Sequence, residues 1–287
     1  MSNEEIARKA AAQFRKEHDL GSAPILSVTQ LLERVMNVGV AFVAGAAPGH
    51  GMVVDWENKR LVAVGCTDQP MQLRSTLAHE LGHLRLGHLD RHMSASREWG
   101  TGTPREHQAD AFARHFLMPA ETVADITQRN EPTLAVLSDL VHSYLVSPAD
   151  AAVQLRENGV IDQSTCEEWS DIPASSLAAQ FGWLTEYKLL AALAQQPRAP
   201  QKLLARAIEG YRWGAIGPAA IARLTGRNDY HVLLKELRAA GIIPVETPDI
   251  TATAPHDTGA ELSAEELALL TGESGRTTRE LAISTGG

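Results

Sequence analysis

The chain opens on apolar residues spaced for a helix, with Ile6, Ala10 and Phe14 on one face, and the run is expected to end near Gly21. A second helix follows, with Ser27 and Gln30 placed as a capping box and Val28, Leu31, Leu32 and Val35 as its apolar stripe. Three short runs, "GVAFV", "GMVVDW" and "RLVAVG", then read as strands. The last two flank "ENK" and predict a hairpin. Asp68 and Pro70 suit a helix start, and Met71, Leu73, Leu77, Leu81 and Leu84 recur at helical spacing, which predicts one mostly buried helix from 70 to about 88.

The polar loop "DRHMSASREWGTG" interrupts the pattern. Helix signals resume at Thr103 and Pro104 and stop before Pro119, because proline disfavours helical geometry in the residue it follows. Beyond it the chain reads as helical. Ser147, Pro148 and Asp150 mark a helix start and Gly159 a stop, "SDIPASS" at 170–176 reads as a linker, and a further helical block spans about 177–243. After it "PVETPDITATAPHDTGA" has the composition of a connector, and Ser263 with Glu266 is placed to cap one last short helix.

At 287 residues, 44% of them hydrophobic, the chain can bury a core as one large domain or two smaller ones. No apolar run approaches a membrane span, and the charged start "MSNEEIARKAAAQF" has no signal-peptide character, so a cytoplasmic location is expected. Cys66 and Cys166 are too few for a disulfide framework and read as buried thiols. The net charge of -9 argues against indiscriminate nucleic-acid binding. The charge is unevenly spread: residues 172–254 carry nine Lys/Arg against six Asp/Glu, and 255–287 carry two against six.

The chemistry concentrates in "LAHELGHLRLGH", residues 77–88. Here His79, Glu80 and His83 form His-Glu-x-x-His. On a helix, residues four apart lie one above the other, so both imidazoles can reach a single cation. Zinc suits neutral imidazole nitrogens and in a catalytic site keeps a position for water. Glu80, turned by about 100°, is free to take that water's proton. An amphipathic helix with histidines on its polar side accounts equally for these five residues.

A third ligand is needed, and "REHQADAFARHFLMP" offers Glu106 and, four residues on, Asp110, again on one face. In such a pair a glutamate can bind metal while the later residue hydrogen-bonds the far nitrogen of a ligand histidine and fixes its tautomer. Glu106 also stands three residues after Thr103, where it would complete a capping box. His88, His92, His107 and His115 are rival ligands. His88, nine residues after His79, reads better as a helix-end or substrate-side histidine.

"LAHELGHLRLGH" followed by "EHQADAFARHFLMP" resembles the ImmA/IrrE family of zinc metallopeptidases, whose signature is HExxH and then a helix of the form ExxANxFAxxLLMP. The likeness covers roughly residues 1–165 and is strongest over 77–119; "YLVSPADAAVQLRENGVI" is similar to the helical segment that follows the family's protease core. The resemblance implies an α+β, zincin-like core in which helices pack on a small mixed or antiparallel sheet, followed by a mostly helical C-terminal region. It implies one Zn2+ ion held by His79, His83 and Glu106, with Glu80 as the catalytic base. Asp110, where the family commonly has Asn, would hold a ligand histidine. With the helical pattern and composition beyond residue 165, the expected division is a core at 1–128, a helix-turn-helix-like segment at 129–170, a helical domain at 177–245 and a flexible acidic tail at 246–287. The resemblance further implies a cytoplasmic endopeptidase that cleaves a regulatory protein, typically a helix-turn-helix repressor of a stress response or mobile element. Tyr144, His107 and His142 are candidates for a second oxyanion donor.

In the C-terminal block, "GPAAIARLTGRNDYHVLLKELRAAGI" reads as a short helix, a turn through Gly226 and a longer helix from about Asp229. This suits a helix-turn-helix unit in which Arg227, Asn228, Tyr230, His231 and Lys235 would face DNA, or a small bundle that only packs. Trp169, Trp183 and Trp213 are expected to be buried. The competing functional class is a zinc-containing regulator that binds protein or DNA without proteolysis. An intact Glu80 favours the enzyme, because a scaffold needs no base there.

Overall fold

The computed structural model describes residues 1–56, 59–88, 102–127, 131–227 and 229–245, and only the backbone of residues 56 and 125–127. Helix α1 (Asn3–Glu17) is capped by Ser2, whose hydroxyl accepts from the Glu5 amide, and its acidic first turn and basic last turn suit the helix dipole. It ends before the expected Gly21. Asp19 takes a left-handed φ of 51°, and buried Arg15 donates to the carbonyls of Gly21, Ala23 and Phe116, holding the turn in place. The buried stripe is Ala7, Ala11 and Phe14 rather than Ile6, Ala10 and Phe14. Helix α2 (Val28–Arg34) is capped by Ser27 as expected, but Val35 is its C-cap and is 48% exposed, so it leaves the stripe.

Strands β1 (Gly39–Val43), β2 (Gly51–Trp56) and β3 (Lys59–Gly65) form one sheet in the order β1-β3-β2. The expected hairpin is present: β2 runs antiparallel to β3, with Val53 opposite Val62, while β1 pairs parallel to β3 from Gly39↔Leu61 to Val43↔Gly65. The sheet is therefore mixed. Val40, Val53, Val62 and Val64 are buried. Phe42 on the outer edge of β1 exchanges both backbone hydrogen bonds with Arg198, whose guanidinium also pairs with buried Glu33. Chain from far along the sequence thus covers that edge.

Helix α3 (Pro70–Leu86) starts on Pro70 at its first position and ends at Gly87, whose left-handed φ of 69° closes it slightly before the expected limit. Every residue from Ser75 to His83 is buried, because sheet, α1, α2 and α4 (Pro104–Leu117) surround this stretch. Helix α4 begins on the Thr103 cap and stops before Pro119, as the sequence predicts. Phe14 of α1 meets Phe112 and Phe116 of α4 edge-on, at 6.4 and 5.6 Å between centroids.

Helices α5 (Ala120–Thr127), α6 (Leu134–Tyr144), α7 (Pro148–Glu157), α8 (Gln163–Ser170), α9 (Ala174–Gln180) and α10 (Leu184–Ala194) follow. Of the stretch 170–176 read as a linker, only residues 171–173 lie between helices, because Ser170 ends α8 and residues 174–176 open α9; Trp169, Leu177 and Trp183 on either side all enter the main hydrophobic cluster, which extends from Ala7 to Ala194. A second cluster of Tyr211, Ile221, Ala222, Leu233 and Leu237 is built by α11 (Gln201–Arg212), α12 (Pro218–Leu224) and α13 (Tyr230–Ala239). Trp169 and Trp183 are buried as expected; Trp213 is not, at 64% exposure. Cys166 is buried, whereas Cys66 is only partly so. Among the described residues no helix is long and apolar enough to cross a membrane. The tail at 246–287 and its predicted cap at Ser263 and Glu266 lie outside the described residues.

Candidate metal centre

The centre depends on how closely two helices approach. A Cβ placed on Gly82 of α3 would lie 3.2 Å from both the Cα and the carbonyl oxygen of Ala109 on α4. Glycine lets the backbones meet there, one turn beyond His79 on α3 and Glu106 on α4. The result is a cluster of His79, His83 and Glu106, all less than 9% exposed.

The nitrogen Nε2 of His79 lies 2.9 Å from Nε2 of His83 and 3.2 Å from Oε2 of Glu106, and Nε2 of His83 lies 3.0 Å from Oε1 of Glu106. Behind His79, its Nδ1–H donates to Oδ1 of Asp110 at 2.7 Å, because a carboxylate only accepts. That bond leaves the lone pair of Nε2 pointing into the cluster. Bonds of about 2.0–2.1 Å to a tetrahedral ion separate its ligand atoms by roughly 3.3 Å. The 2.9–3.2 Å separations match that spacing closely, and two imidazoles with a carboxylate are the donor chemistry of a divalent transition ion. The residues fit a metal.

Glu106 also serves its helix start: its backbone amide donates to Thr103 Oγ1 while its carboxylate turns to the histidines. The capping and ligand readings of this residue are thus compatible. Glu80, beside His79, is buried, and its Oε1 would be 2.5 Å from a Cβ on Gly51 of β2. The sheet edge therefore packs directly on this carboxylate, and glycine leaves the space for it.

The other candidates lie outside the His79, His83 and Glu106 triad. His88 is behind His83, with its Nδ1 3.1 Å from His83 Nδ1, on the side of the ring away from Glu106. His115 is buried between Glu4 and Gln154. The bond from His115, opposed by partial burial and helped by Arg114, holds the Glu4 carboxyl down from an ordinary 4.5 to about 2. His107 is exposed on α4. His142 contacts Glu186 at 2.5 Å and stacks on Trp183, and Tyr144 donates to the carbonyl of Ser22. In the C-terminal unit Tyr230, His231 and Lys235 are exposed on α13, while Arg227 pairs with Glu236. His92 and Asn228 lie outside the described residues. Sequence reasoning missed Gly51 and Gly82. The signal for Gly82 was a small residue between two candidate ligands; for Gly51, at a strand start, there was none.

Two facing helices that bring a histidine pair and a glutamate together over a small mixed sheet define the metallopeptidase class of zincin-like folds. Residues 39–156 match the sequence profile described as Peptidase_M78, the IrrE N-terminal-like domain. Over that segment, 118 of the 287 residues, the chain is similar to the IrrE-type peptidase domain that its signature residues also resemble. No curated protein matches the chain.

Proposed function

We propose that the chain is a zinc-dependent endopeptidase in which His79, His83 and Glu106 hold one Zn2+ ion, Asp110 orients His79, and Glu80 is the catalytic base. The observation that carries this reading is the convergence of two imidazole nitrogens and one carboxylate within 2.9–3.2 Å of one another, with Asp110 fixing the tautomer behind. Zinc bound there supplies Lewis acidity, lowering the pKa of water and polarising a scissile carbonyl.

Glu80 takes the proton of the attacking water and delivers it to the leaving amine. Burial against Gly51 holds its carboxylate in one orientation and keeps bulk water away. Among the described residues β2 pairs with β3 alone, so its other side offers an extended peptide a row of backbone partners beside Glu80. The substrate proposed is a regulatory protein of the helix-turn-helix repressor kind in the cytoplasm, a class supported by the family resemblance. Glu80→Gln keeps the shape of the side chain and removes the base. Zinc content should be retained and cleavage of the target lost; cleavage that persists in this variant rules out the assigned base.

A second reading applies to α11–α13 and rests on the turn at Gly226, φ 65°, that joins α12 to α13 and leaves Tyr230, His231 and Lys235 exposed. It assigns this unit to DNA contact. Full-length protein would then bind duplex DNA with an affinity that falls steeply with salt, and salt-independent or absent binding leaves the unit a packing role.

A further inference from the structure

A line of hydrogen bonds leads from His83 to the first turn of α1. Nδ1 of His83 is 3.1 Å from Nδ1 of His88, Nε2 of His88 is 3.0 Å from Oε1 of Gln108, and Nε2 of Gln108 donates to Oδ1 of Asn3 at 2.9 Å. The direction of each bond follows from the far end. Gln108 donates to Asn3 through its nitrogen and therefore offers its oxygen to His88. An amide oxygen only accepts, so His88 carries its proton on Nε2, and neutral His88 has a lone pair on Nδ1. That lone pair accepts from Nδ1–H of His83, which leaves the lone pair of His83 Nε2 facing Glu106 and His79.

We propose that His88, Gln108 and Asn3 are positioning residues that set the tautomer and ring orientation of His83, making helix α1 part of the metal site. The inference rests on the reading of His83 as a ligand. It also gives a role to chain outside the family match, since residues 1–38 precede the matched segment. The arrangement parallels the one at His79, with a neutral chain in place of the Asp110 carboxylate. Helix α1 is held in register for this purpose by Glu4, which pairs with Arg114 at 2.6 Å and His115 at 2.7 Å on α4, next to Asn3.

The test is zinc affinity of the full-length protein, measured by competition with a chelator, together with the visible spectrum of the Co2+-substituted form. His88→Ala is expected to weaken zinc binding by about tenfold or more. His88→Gln, whose amide can accept from His83 and donate to Gln108, should recover most of the loss. Asn3→Ala removes only the last link and is expected to weaken binding by about threefold; Gln13→Ala, exposed on the same helix, should have no effect. The Co2+ spectrum of His88→Ala should keep the intensity of a four-coordinate site. An affinity for His88→Ala within about twofold of wild type overturns the proposal, as does a spectrum showing a lost ligand, which would place His88 on the metal itself. Should His88→Ala fail to fold, unchanged affinity in Asn3→Ala overturns it equally. If the folded wild-type protein takes up no zinc, the ligand assignment fails and this inference falls with it.

Discussion

Nδ1 of His79 lies 2.7 Å from Oδ1 of Asp110, a bond that crosses from α3 to α4 and turns Nε2 of the ring toward Glu106. Asp110 is itself partly exposed, with 37% of its side chain accessible, so removing it should leave the fold intact. Asp110→Ala is expected to lower zinc affinity by about 10–100-fold. Asp110→Asn keeps an accepting oxygen and should cost much less. Chelator competition on the two variants checks the order, and equal losses would contradict an orienting role.

Gly51 and Glu80 give a second expectation. A methyl group at Gly51 would fall 2.5 Å from Oε1 of Glu80 and 2.8 Å from Cγ2 of Thr76, so one of them must move. Gly51→Ala is expected to cost about 1–3 kcal/mol of stability through overpacking. Cleavage should be lost while bound zinc stays near one per chain. Urea denaturation and metal analysis of the same preparation test both halves.

The crossing at Gly82 can be weighed in the same way. Helix propensity alone favours Gly82→Ala by about 1 kcal/mol. The Cα and carbonyl of Ala109 at 3.2 Å oppose it by a similar amount, so alanine should be close to neutral. Gly82→Val adds bulk against a backbone that cannot rotate away. It should separate α3 from α4 and weaken zinc binding along with stability. Zinc affinity that remains at the wild-type level in Gly82→Val would disconnect the crossing from the site.

Acid should loosen the start of α1. Glu4 has a folded-state pKa of about 2 against an ordinary 4.5, chiefly from its bond to His115. A depressed carboxylate pKa contributes stability that is fully present above pH 4.5 and lost as the pH falls toward 2. The melting temperature of the metal-free protein is therefore expected to drop across that window. In Glu4→Gln the drop should be smaller, and the gap between the two proteins should close near pH 2. A gap that stays constant from pH 4.5 to 2 would contradict the coupling.

The elements nearest the site were the most legible in the sequence. Short apolar, valine-rich runs read as the strands, and the proline starts at Pro70 and Pro104 and the stop at Pro119 bounded the two site helices, because these signals act within a few residues. Spacing on α3 made the pairing of His79 with His83 legible, while the choice of Glu106 over the rival histidines came from the family resemblance. Features set by long-range approach were not. The parallel pairing of β1, the covering of its edge by Arg198, the clash space at Gly51 and the link from His88 to Asn3 depend on residues far apart in the chain. "SDIPASS" has a linker's composition, yet Trp169 and Leu177 on either side bury themselves in one cluster, and composition does not record which neighbours are large and apolar. Trp213 shows the reverse case, a large aromatic left in solvent with its indole N–H donating to Glu209.

The coordination shell of zinc in the full-length protein tests the assignment of the site most directly, and X-ray absorption at the zinc edge reads it. Two imidazole nitrogens with carboxylate and water oxygens, all at about 2.0–2.2 Å, are expected from His79, His83 and Glu106. Loss of one imidazole in His83→Ala should accompany loss of tight binding. A shell of three imidazoles, or one unchanged by Glu106→Gln, would place the metal on a different set of residues and contradict the account.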